Sequence, residues 1–237
     1  MAAVLELGSE LETHLRMFEE GARGLREFDW SAVNADELLD GVRRMDRVDR
    51  QAPARRSPAL SEVKTRGLPE QHGCRTAAAF VRQLLNCSAA EAGARLSLAE
   101  DLVPGRSLST GELLPPKLPA LAAAVAAGDI GPEHVRLIRL TLRRIPSTVD
   151  QPTRDAAEEE LVGHARELDP DGLKHACAKL LQCVDPDGAL GSTDEERRRQ
   201  RAFTIGRQDR HGMYPVQGLL DPETGALLRA ALEPLAG

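Results

Sequence analysis

The sequence predicts a mainly α-helical fold: a multi-helix, bundle-like domain with helix-turn-helix-like pairs and one late β-hairpin near residues 202–219. Three observations predict it. Apolar residues recur at helical spacing through about the first 200 positions. Asn, Ser, Thr or Asp stands repeatedly where a helix must begin. The period shortens to that of a strand only once, late in the chain. Taken in order, Leu5, Leu11, Leu15 and Phe18 define a first amphipathic helix in an acidic segment, and Asn34 with Glu37 forms a capping box for a second through Leu38, Val42, Met45 and Val48. Pro53 and Pro58 are expected to interrupt the helical run that follows, with Gly67 closing it and a loop over Leu68 to Cys74. Thr76 to Asn86 reads as a helix. Ser88 and Glu91 repeat the capping-box pattern ahead of a helix from Ala89 to Leu102, which makes a helix-turn-helix-like pair. Leu118 to Ala127, a turn at Gly128 to Gly131, and a helix from Pro132 to the stop at Pro146 make a second pair. Pro152 to Leu168 is a long acidic helix. Asp169-Pro170 caps and starts another to about Val184, and Ser192 to Gln200 adds a short one. Ala202 to Arg207 and Met213 to Leu219 then form the hairpin, and Asp221-Pro222 launches a last helix.

Residues 104–118, rich in Pro, Gly and Ser, read as a connection between an N-terminal helical part, 1–103, and a second part, 119–237, one continuous domain being the alternative. At 237 residues the chain is long enough for a core, and 41% hydrophobic with 29% charged residues is globular rather than disordered. Aromatics are only 3%, too few for the stacking platforms of single-strand RNA readers. The net charge of -6 has the wrong sign for binding nucleic acid over the whole surface, so any such contact needs a local basic patch. Cys74, Cys87, Cys177 and Cys183 contain no CxxC pair and read as free thiols, with burial the expected state of Cys177 and Cys183. The acidic N-terminus is no signal peptide and no apolar stretch reaches the twenty or so residues of a membrane span, so the expected compartment is the cytoplasm.

Five segments carry a resemblance: Gly73-Cys74-Arg75-Thr76-Ala77-Ala78-Ala79-Phe80; Ala127-Gly128-Asp129-Ile130-Gly131-Pro132-Glu133-His134; Leu168-Asp169-Pro170; Asp185-Pro186-Asp187-Gly188; and the run from Gly218 to Ala226. In order and spacing they resemble the bacterial 13E12 repeat family, domain of unknown function 222, from about residue 36 onward. The resemblance implies a region that commonly precedes an HNH endonuclease module, a small His-based, metal-dependent nuclease. No such module lies in this chain, so no nuclease residue carries over. Pro53 and Pro58 stand where the family tends to run an unbroken helix. The chain stops as its last helix finishes, which implies a truncated chain or a short open reading frame.

Nuclease chemistry needs a His base and carboxylate or His ligands around a divalent metal. The six His residues are scattered singly. Glu160, His164 and Glu167 share a helix face, yet the run Glu158 to Glu160 reads as a solvated acidic face. His175, Cys177 and Cys183 lack a fourth ligand for zinc, and Asp185, Asp187 and Glu196 fail the calcium-loop template at Leu190. Phosphate binding needs several cations on one face. Arg136, Arg139 and Arg143, with Arg144, supply it on the helix ending at Pro146; Arg43, Arg44, Arg47 and Arg50, and Arg197, Arg198, Arg199 and Arg201, are further clusters.

The sequence therefore points to a helical domain with no catalytic, metal or cofactor site of its own. Its expected partners are DNA, bound weakly and salt-dependently through Arg136, Arg139, Arg143 and Arg144; an HNH nuclease module in cis or trans; and, in the competing reading, a second copy of the chain. That reading is a structural or self-association module without nucleic-acid contact, favoured by net acidity and by the small residues of Ala120 to Ala127.

Overall fold

The computed structural model describes residues 2–107, 109–185 and 202–233. Its contacts divide the chain into two compact units, Met1–Pro132 and Glu133–Gly237. The fold is mainly helical with a late antiparallel hairpin.

In the first unit the helices are α1 (Ala2–Glu27), α2 (Ala35–Arg50), α3 (Ala52–Thr65), α4 (Leu68–Gln71), α5 (Ala77–Leu85), α6 (Ala89–Leu102) and α7 (Pro119–Ala127). A two-residue-wide ribbon, β1 (Gly105–Arg106) with β2 (Leu113–Leu114), lies between α6 and α7. Local chemistry sets the boundaries. Asn34 and Glu37 form the full capping box of α2, each side chain accepting the other's backbone N–H. Thr76 and Ser88 cap α5 and α6 by accepting from Ala79 and Glu91 N–H, and the Ser88 cap works without the return bond the sequence pattern predicts. Gly67 closes the end of α3 at φ 61°.

The first unit departs from the sequence reading at two points. Pro53 and Pro58 do not interrupt the run: only Gln51 separates α2 from α3, and α3 continues to Thr65. Pro53 sits in the first turn, where its missing N–H would have had no partner, and Pro58 is carried inside because Ser57 and Leu60 beside it are buried where α3 packs on α6 and α7. The segment after Gly67 is not all loop, since Leu68–Gln71 makes one helical turn around buried Pro69.

The core of this unit joins Leu60 of α3, Val81 of α5 and Ala92 and Ala99 of α6, with Phe80, Cys87 and Leu96 against them. Leu121, Ala124 and Val125 bury the inner face of α7. An apolar groove of about 360 Å³ remains beside it, lined by Pro58, Pro104, Pro116, Pro119, Ala122 and Ala126. Residues 8–50 contribute no buried side chain.

The second unit holds α8 (Pro132–Arg144, beginning at the last residue of the first), α9 (Gln151–Glu167), α10 (Pro170–Val184), β3 (Ala202–Ile205), β4 (Val216–Leu219) and α11 (Pro222–Leu232). Asp150, Asp169 and Asp221 cap α9, α10 and α11 by accepting from Thr153, Gly172 and Thr224 N–H. Buried apolar residues include Ile138 on α8, Leu161 and Val162 on α9 and Leu173 on α10. Strand pairing runs from Ala202↔Leu219 to Ile205↔Val216, a shorter ladder than the sequence predicts. Gly218 permits it, because a Cβ there would run into the Ala202 carbonyl oxygen across the ladder. The expected short helix at Ser192 to Gln200 lies outside the described residues. Among those described, no helix is long and apolar enough to cross a membrane.

Arg154 closes the far end of α8. Its Nη2 donates to the Ile145 and Pro146 carbonyls at 2.8 and 2.6 Å and its Nε to that of Val149 at 3.2 Å, placing a cation where unpaired carbonyls and the helix dipole are most negative. Arg154→Ala should cost about 2 kcal/mol in urea unfolding, the range for hydrogen bonds from a charged donor, and Arg154→Lys should recover only part of it.

Candidate nucleic-acid interface

α8 forms where the sequence places it because Pro132 fits the first turn and six residues, His134, Val135, Leu137, Ile138, Thr141 and Leu142, bury one side. The other side carries the sequence-predicted set. Arg136, Arg143 and Arg144 are exposed and Arg139 is half-buried, so all four arginines share the polar face with Glu133 and the exposed Leu140.

Geometry pairs the charges at the N-terminal end of this face. Near the N-terminus Arg136 donates Nε–H and Nη2–H to the two carboxylate oxygens of Glu133 at 2.8 and 2.6 Å, a fork-to-fork pair. That contact holds the Glu133 carboxyl below the usual glutamate range and raises the Arg136 guanidinium. Lys174 and Asp171 on α10 pair at 2.7 Å, which lowers the Asp171 carboxyl, and the Lys174 charge also reaches Glu133. At this end two cations and two anions nearly cancel. Arg143 and Arg144 occupy the last turn, where the helix dipole favours cations.

His134 is buried under this face with Nε2 2.9 Å from the Leu168 carbonyl oxygen, a contact that fixes the start of α8 to the end of α9. His164 meets Glu160 at 3.7 Å in the open. Glu158 departs from the expected solvated acidic face: it is 2% exposed, turned to the side of α9 that buries Leu161 and Val162, whereas Glu159 and Glu160 are exposed. Its position one turn from Leu161 and Val162 puts it on their stripe, which the charge run conceals. Cys177 is buried, but Cys183 is exposed and not the buried thiol expected. No group of three or more His, Cys, Asp or Glu among the described residues could hold a metal ion.

Two arginines of the α2 cluster, Arg47 and Arg50, hold the fold. Arg47 donates to the Ala127 carbonyl at 2.9 Å and to Asp129 Oδ1 at 3.2 Å, and Arg50 donates to the Asp129 carbonyl at 3.3 Å while pairing with Asp46. Arg44 pairs with Asp40. Arg47 and Arg50 thus clamp the turn after α7, a role no local pattern signals because their partners lie 79 to 82 residues away. Arg197, Arg198, Arg199 and Arg201 lie outside the described residues.

Comparison with known proteins gives no function directly. No solved structure matches. An uncharacterized protein of Mycobacterium tuberculosis strain H37Rv is 38% identical over 200 residues, 84% of this chain and 43% of that protein. A second from the same strain is 34% identical over 87% of this chain and 45% of its own length, and one from Mycobacterium bovis is 32% identical over 96% and 49%. The chain therefore spans less than half the length of these curated relatives. The sequence model described as "Domain of unknown function (DUF222)" matches residues 39–237, most of the chain, and the protein belongs to that family.

Proposed function

We propose that this is a non-catalytic helical domain that assists the DNA targeting or positioning of a nuclease, touching DNA weakly through the arginine face of α8. The observation that supports it most is the composition of α8 itself: its polar side carries Arg136, Arg139, Arg143 and Arg144 and one acidic residue, Glu133. Guanidinium groups at helical spacing match backbone phosphates without reading bases. The nuclease association rests on the resemblance to proteins in which this region precedes an HNH module. The relatives' further length is where such a module would sit.

The Glu133 pair makes the reading testable in both directions. Fluorescence anisotropy on duplex DNA at several salt concentrations should give a log–log slope of about -3 for a patch of three or four arginines. Arg136→Ala, Arg139→Ala and Arg143→Ala combined should remove most of it. Glu133→Gln should bind more tightly and steepen the slope by about one phosphate contact, because it removes an anion and releases Arg136. Acid should act in the same sense. The carboxyl sits below its ordinary value, so the pair is complete at neutral pH and opens only as pH falls through that lowered value. A triple variant that binds like the native chain rejects the face, and a native chain silent even at low salt rejects DNA contact.

A further inference from the structure

We infer that α1 is a dimerisation helix that pairs in parallel with α1 of a second copy of this chain as a short left-handed coiled coil. The first observation is a missing core. α1 is 26 residues long, about 39 Å at 1.5 Å per residue, yet no described side chain from residue 8 to residue 50 is buried. A helix owes most of its stability in a protein to the apolar face it buries. Here that face is open: Leu11 is 61% exposed, Leu15 48%, Phe18 55% and Leu25 47%. Among its contacts with the rest of the first unit, Arg55 of α3 rests 5.4 Å from the ring centre of Phe18, which stays 55% exposed, and the Trp30 indole N–H donates to the Leu25 carbonyl at 3.3 Å.

The second observation is the period. Leu11, Leu15, Phe18, Ala22 and Leu25 follow one another at steps of 4, 3, 4 and 3. That averages 3.5 residues, the repeat that keeps a narrow seam facing one partner helix, rather than the broader 3.6 stripe of a helix lying on a globular core. Leu11, Phe18 and Leu25 take one seam position, Gly8, Leu15 and Ala22 the other. In parallel register each seam residue meets its own counterpart, so Leu11, Leu15, Phe18 and Leu25 stack as apolar layers with Ala22 between the last two.

Charge bears on the direction of pairing. The positions flanking the seam on one side are Glu12, Glu19 and Arg26, and on the other His14 and Gly21. In parallel register each flanking residue meets the one five places on in the partner, so His14 faces Glu19 of the second copy and no two like charges among these positions meet. Antiparallel pairing would instead bring Glu12 against Glu19 twice in each dimer. The inference does not depend on DNA contact, since none of these residues lies on α8.

Sedimentation equilibrium on the full chain between about 1 and 200 µM tests it. The expected result is reversible association to twice the 25.7 kDa chain mass. Leu15→Glu with Phe18→Glu should weaken it at least about 100-fold, because two apolar side chains per copy are lost from the seam. The variant should keep the cooperative unfolding transition of the remaining helices, since neither residue is buried in the monomer. Leu11→Ser, a milder change, should weaken association by a smaller factor and serves if the double variant misfolds. Glu12→Lys should leave the dissociation constant within about twofold. A native chain that stays monomeric at 200 µM, or a dimer indifferent to these seam changes, overturns the inference. Marked tightening by Glu12→Lys overturns the parallel arrangement.

Discussion

Gly128→Ala is expected to destabilise the first unit by about 3 kcal/mol. Two independent costs meet at this position. The residue closes α7 at φ 73°, a left-handed conformation that costs an L-residue about 1–2 kcal/mol. In addition, a Cβ would stand 2.5 Å from the Arg47 carbonyl oxygen and 2.8 Å from Arg47 Cγ, and forced insertion into a packed contact typically costs a further 1–3 kcal/mol. Neither obstacle can swing aside easily, because Arg47 is anchored to Ala127 and Asp129 by its own guanidinium. Urea unfolding followed by circular dichroism measures the change. Asn tolerates positive φ far better than Ala does, so Gly128→Asn separates the causes: no rescue means that the close approach to α2 dominates, and full rescue would leave only the backbone term. A loss below 1 kcal/mol for Gly128→Ala would mean that the Arg47 clamp yields.

In the second unit the largest loss should come from Leu161→Ala on α9, about 3–4 kcal/mol. The side chain is fully buried, and α9 packs on α10 along the face that carries it. Truncation removes the transfer energy of the lost carbons and leaves a cavity that a face of Ala157, Val162 and Ala165 has little spare volume to fill. Leu161→Met, nearly conserving volume, should stay within about 1.5 kcal/mol in the same unfolding measurement. Equal losses for the two substitutions would show that shape, not volume, limits this site.

Much of this architecture was legible in the sequence because its helices announce their ends with side chains. Asn34, Ser88, Asp169 and Asp221 each cap the helix predicted after them, Thr76 caps the helix read as starting at it, and Gly67 and Asn86 terminate helices in left-handed conformation. Four of the five segments that carry the family resemblance resolve into such devices: Gly73 with the Thr76 cap, Gly128 and Asp129 in the arginine clamp, Leu168 and Asp169 at the α9–α10 turn, and Gly218 with the Asp221 cap. The fifth extends beyond the described residues. What the sequence hid was tertiary. Pro58 reads as a breaker until its helix is seen buried on α6 and α7, and Glu158 reads as solvated until its stripe is shared with Leu161. The α8 arginine face was legible as spacing, but the Glu133 fork that neutralises part of it depends on rotamers and could only be posed as a charge balance.

The contrast between Cys177 and Cys183 gives α10 a built-in clock. Two thiols on one helix, one sealed from solvent and one open to it, share the same solution but not the same access. A thiol reagent therefore consumes Cys183 at the rate of its chemistry, while Cys177 waits for the helix to lift away from its neighbours. The ratio of the two labelling rates, read by mass spectrometry in one native sample, gives the free energy of that opening, and how it shifts when DNA or a second copy is added would tell which events reach the interior of this unit.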